Sequence, residues 1–163
     1  MLLSCGQHRK ETLLPATTIN TNGNSDITYR GIQYRVMAIQ QCPYPEKDPV
    51  VGKKQGKKLL LFCMEVYQQS NNAAEIPTGA LLEDNRGNSY DNLPGVIAMA
   101  QTNGCIKGDD IKAYNIIWNG TLQPGEKQTA YVLGFEVPAD AIPEKLYWNK
   151  HWKEKNMFFS IQL

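Results

Sequence analysis

Residues 121–138, reading TLQPGEKQTAYVLGFEVP, constrain the fold of this chain more than any other stretch. Pro124 pre-sets φ for the first central position of a turn, and Gly125 accepts the positive φ that the next position can demand. Beyond the turn, Tyr131, Leu133, Phe135 and Val137 alternate onto one face, and Pro138 ends the run. The opposite face carries Ala130, Val132, Gly134 and Glu136, so it is only half polar. A strand this apolar requires cover on one face and a sheet neighbour on each edge. Those requirements place it at the centre of a β-sandwich.

The chain has 163 residues, which suits one domain with a sizeable core. Apolar residues make up 42%, in the range of globular chains. Lysine and arginine number 17 against 16 acids, a net charge of +1, and this balance speaks against a nucleic-acid partner. No run of about 18 apolar residues is present to span a membrane as a helix.

Period-2 alternation recurs along the chain and helical periodicity is scarce, which predicts an all-β protein. Residues 1–26 read as a polar tether, and residues 27–163 as the folded domain. A first strand is expected over 27–40, broken at Gly31, with Ile32, Tyr34, Val36 and Ala38 on one face. Residues 42–58 read as a loop ending in a solvated basic run. Residues 58–67 are apolar on both faces, with Leu60, Phe62, Met64 and Val66 against Leu59, Leu61 and Cys63, which places them mid-sheet. A hairpin is expected over 80–90, turning at Gly87. Residues 91–110 lack alternation, with a short helix or strand at 96–99. Residues 111–118 return to strand character, and 139–146 read as a crossing loop. Met157, Phe159, Ile161 and Leu163 alternate as a last strand.

Two resemblances add to this reading. Leu2-Leu3-Ser4-Cys5-Gly6 resembles a bacterial lipobox, in which an apolar pair and a small residue precede the cysteine that carries lipid. The resemblance implies lipidation at Cys5 and, because Gly6 is not aspartate, the outer membrane or cell surface. A secretory leader has a basic region and about 7–15 apolar residues, so most of it would precede Met1. The alternative is an ordinary N-terminus with an incidental cysteine. Further on, the order KKLLLFCMEVY, QQSNN, LLEDNRGNSY, LQPGE, FEVP and a terminal strand resembles the telokin-like, immunoprotective-extracellular domains of bacterial secreted proteins and lipoproteins. It implies an immunoglobulin-like antiparallel β-sandwich and carries no catalytic or ligand residue beyond the lipid-bearing Cys5. The segment 91–110 is longer than that pattern expects.

The cysteines are 5, 42, 63 and 105. With Cys5 lipidated, one pair at most remains. Cys42 and Cys105 sit beside turns, whereas Cys63 is mid-strand, so a Cys42–Cys105 disulfide is the expectation and three free thiols the alternative. Such a bond closes about 60 residues, for which chain entropy suggests roughly 4 kcal/mol. No Cys-x-x-Cys, Walker A, dinucleotide-glycine or Gly-x-Ser-x-Gly pattern occurs, and the glycine of DNRGN falls at the wrong position for a calcium loop. A hydrolase would have to use His151.

The candidate contact surface is YWNKHWKEK, with Trp148, Lys150, His151 and Trp152 able to stack on a sugar or anchor a protein. Rings closing the end of the sandwich, beside solvated lysines, are the competing reading. These observations favour a non-enzymatic, lipid-anchored extracytoplasmic module that binds a protein or envelope component. A carbohydrate or small-ligand module using Trp148 and Trp152 is the second reading. Neither requires a metal or other cofactor.

Overall fold

In a computed structural model, which describes residues 17–19, 26–44, 56–76, 79–106, 120–149 and 159–163, the apolar run at 58–67 is the middle of the larger sheet. This strand, β4 (Lys57–Gln68), pairs antiparallel with β3 (Ile32–Pro43) on one side and β9 (Lys127–Pro138) on the other. Two short strands share the far edge of β3. They are β1 (Thr17–Ile19), opposite Ile39–Gln41, and β2 (Asp26–Tyr29), opposite Ile32–Arg35. Residues 17–19, assigned to the tether from sequence, therefore take part in the sheet. Gly31 does not merely interrupt a strand; it turns β2 back onto β3 at φ 81°, and a β-carbon there would lie 2.7 Å from Ser70 Cβ.

The second sheet runs β11 (Phe159–Gln162), β10 (Pro143–Asn149), β6 (Gly79–Asp84), β7 (Ser89–Asp91), all antiparallel. The hairpin β6–β7 turns through Gly87 at φ 79°, as the sequence predicts. A two-stranded ribbon joins β5 (Ala74–Glu75) to β8 (Thr121–Leu122). A helix, α1 (Gly95–Thr102), resolves the ambiguity at 96–99. The predicted strand at 111–118 lies outside the described residues. Strand β10 replaces the crossing loop expected at 139–146: after Pro143 the segment alternates Leu146 and Trp148 inward, with Tyr147 between them only half-buried.

The two sheets close on each other as an antiparallel all-β sandwich. Between them lie Ile32, Tyr34, Val36, Ile39, Leu60, Phe62, Met64, Val66, Leu82, Leu133, Phe135, Leu146, Trp148 and Ile161, all buried. Tyr34 sits 5.5 Å from the Trp148 ring and 4.6 Å from Phe159, and the Trp148 and Phe159 rings stack at 5.8 Å. Burial of this cluster drives the Tyr34 hydroxyl far above its usual range, with Tyr29 adding to the effect.

Two expectations about the larger sheet need correction. First, β9 has a sheet neighbour on one edge only among the described residues, so the central strand is β4 and not the stretch 121–138. Second, strict alternation fails on both neighbours of β4. The register steps from Val36↔Met64 to Ala38↔Cys63, leaving Met37 bulged, and from Phe62↔Leu133 to Cys63↔Tyr131, leaving Val132 bulged. One extra residue reverses the facing of everything beyond it. Ala38 and Tyr131 consequently leave the face predicted for them and flank Cys63 on the opposite one.

Candidate functional site

The outer face of the larger sheet is divided into an apolar half and a polar half, and β4 runs through both. After the exposed Lys57, its odd-numbered residues are Leu59, Leu61 and Cys63, which are buried, then Glu65 and Tyr67, which are not. A sheet face that stays apolar over three alternate positions must be covered. Here α1 supplies the cover, with Val96, Ile97 and Ala100 packed on it and Cys105 and Ile106 following. The close approach depends on Gly134 in β9, where a β-carbon would stand 2.8 Å from Val96 Cβ.

The cover is attached at both ends. Before the helix, Leu93 N–H donates to the Gly134 carbonyl at 2.8 Å, and Gly134 N–H donates to Asn92 Oδ1 at 3.0 Å. Asn92 N–H also donates to the Ala80 carbonyl, so this one residue links the edge of β9 that has no strand partner among the described residues to the second sheet. The arrangement protects a strand edge that would otherwise be open to pairing. After the helix, Cys105 is disulfide-bonded to Cys42 at the end of β3, with their Cα atoms 5.9 Å apart and a sequence separation of 63. Cys63 is a buried free thiol beneath the cover, and burial pushes it up to about 12, far from the thiolate form.

The polar half is open. Asp26, Arg35, Glu65 and Lys127 alternate in sign across β2, β3, β4 and β9, with ion-pair distances of 3.5, 3.7 and 3.6 Å. Asp26 and Glu65 stand directly opposite Arg35 in the two ladders, and Lys127 lies diagonal to Glu65. Lys127 also sits over the Tyr67 ring at 5.4 Å. Gln33 extends the row, donating to Asp26 at 3.1 Å and accepting from Gln69 at 3.4 Å.

A second polar cluster closes one end of the sandwich. Asp84, 1% exposed, accepts hydrogen bonds from the Arg86 and Asn88 amides, the Asn88 side chain and the Tyr90 hydroxyl. Burial alone would raise its carboxyl, but these donors, Asn88 foremost, outweigh it and hold it far below the usual carboxylate range. Arg86 reaches over to Asp140 in a two-pronged pair at 2.9 and 3.2 Å. Every group here is engaged by its neighbours, which is the pattern of a hairpin lock.

Of the residues singled out from sequence, the structure brings Cys42 and Cys105 together. Trp148 is corrected as a contact residue: it is 0% exposed, because pairing with β6 and β11 directs it between the sheets. Cys5, Lys150, His151 and Trp152 lie outside the described residues. Among the described residues, no group of three or more histidine, cysteine, aspartate or glutamate side chains is placed to hold a metal ion. Sequence reasoning missed Asn92, Gly134 and the charge row. The charge row leaves a trace, since Arg35, Glu65 and Lys127 each occupy outward positions of their strands, but their adjacency depends on register.

No family model matches the chain, and no curated protein does. Two solved structures resemble it. A conserved hypothetical protein from Bacillus anthracis is 13% identical with a TM-score of 0.50, covering 90% of this chain and 99% of that one. The yjhA protein from Bacillus subtilis is 16% identical with a TM-score of 0.50, covering 80% of this chain and 83% of that one. At such identities the likeness is one of fold, a β domain also found in bacterial proteins.

Proposed function

We propose that the chain is a non-enzymatic extracytoplasmic interaction module, held at a membrane through lipid on Cys5 and binding a protein or envelope component. The Cys42–Cys105 disulfide carries this reading, since such bonds persist in oxidising compartments and are rare in the cytosol. The open polar half of the larger sheet is the contact surface the geometry supports best. Its charges are held in fixed register by the strands, so they present an ordered pattern at little entropic cost. The carbohydrate reading built on Trp148 loses that residue to the core.

The test is the intact mass of protein extracted from membranes, read with the frame upstream of Met1. A diacylglyceryl increment on Cys5 and an apolar, basic leader support the reading. A soluble protein with unmodified Cys5 and no leader removes the anchor, and capture of partners then moves to the soluble fraction.

A further inference from the structure

The outer layer of this protein is built differently from the sandwich beneath it. Helix α1 has 8 residues, well short of the ~12–15 that begin to hold helical structure alone. Its N-cap is Pro94, which makes no side-chain capping bond, and no acidic residue lies in its first turn nor basic residue in its last. Gln40 Oε1 and Asn103 Nδ2 are buried without a hydrogen-bond partner among the described residues. Each stands two residues before a disulfide cysteine, so the layer is poorly satisfied where the bond pins it. Its apolar cluster is also separate from the one between the sheets.

We propose that α1 and its flanking turns form a redox-released cover: reducing Cys42–Cys105 lifts the layer and uncovers Leu59, Leu61, Cys63 and Tyr131, while the sandwich stays folded. The step needs a dithiol. One of its thiolates attacks a disulfide sulfur, giving a mixed disulfide and one cysteine thiolate, which takes up a proton. The second dithiol sulfur then displaces the other cysteine, closing a cyclic disulfide. Two electrons and two protons pass from the dithiol to Cys42 and Cys105. Once released, the layer is held among the described residues by its hydrogen-bonded attachment at Asn92, Leu93 and Gly134 and by its apolar packing, and local opening becomes accessible.

Cys63 reports the opening because it lies under the cover and reacts only when solvent reaches it. The full chain is treated with N-ethylmaleimide under native conditions, with and without dithiothreitol pretreatment, and Cys63 labelling is followed by peptide mass. The expected result is labelling at least roughly tenfold faster after reduction, with the far-UV spectrum and a cooperative thermal transition retained. The double variant Cys42→Ser/Cys105→Ser reproduces this without reductant, and adding Cys63→Ser abolishes the mapped signal. Unchanged protection of Cys63 in the reduced protein and the double variant overturns the proposal. So does labelling that rises only together with loss of the cooperative transition, which would make the layer part of one unit with the sandwich.

Discussion

Gly134 and Val96 meet at a distance that no side chain on Gly134 would permit, since a β-carbon there would lie 2.8 Å from both Val96 Cβ and Cγ1. Val96 is anchored by its amide to the Leu93 carbonyl, and Leu93 by its own amide to Gly134, so the helix cannot simply slide away. Gly134→Ala is expected to destabilise the protein by about 1–3 kcal/mol through overpacking, read as a lower urea midpoint. An unchanged midpoint would mean that the helix is not seated on β9.

Trp148 links the two sheets through Tyr34, with Phe159 of its own sheet stacked beside it. Trp148→Ala should cost about 3–5 kcal/mol by chemical denaturation, and Trp148→Phe markedly less. A residue acting at a contact surface would behave in the opposite way, losing binding while stability held.

Asp84 predicts acid sensitivity of the β6–β7 hairpin. Its folded carboxyl is depressed below the ordinary 3.8, so its stabilisation is complete above that value and is lost as pH falls through the depressed one. Asp140, lowered by its bond from Arg86, and Glu126, lowered by the Gln123 amide, act with the same sign. Asp84→Asn turns one acceptor into a donor facing Asn88 and Tyr90. Its melting temperature should be well below the parent at neutral pH, with the gap narrowing below about pH 4. Scanning calorimetry across pH checks this, and a constant gap would count against it.

The charge row separates binding from stability. Arg35→Glu sets a third acid between Asp26 and the half-buried Glu65, while the exposed Arg35–Asp26 pair that it removes contributes only about 0–1 kcal/mol. A small loss of stability is expected, shrinking as salt is raised. If the polar half is the contact surface, the same variant loses partner capture from membrane extracts while its melting stays near that of the parent.

What the sequence alone determined is whatever depends on local period. The two apolar faces of 58–67 place β4 mid-sheet, because a strand buried on both sides reads as an unbroken apolar run. Gly87 and the Pro124-Gly125 turn are legible for the same reason, since turn chemistry is set by the turn's own residues. Tertiary structure decided the rest. Bulges at Met37 and Val132 exist only because two strands must match β4, and they moved Ala38 and Tyr131 to the other face. That β9 pairs with β4 alone among the described residues follows from its partner's identity, and the inward turn of Trp148 from the phase in which β10 pairs. Asn92 standing in for a strand residue, Gly134 admitting a helix and four charges forming one row are relations between distant segments. A pattern of period 2 says which residues share a face, while the pairing of strands alone says what that face meets.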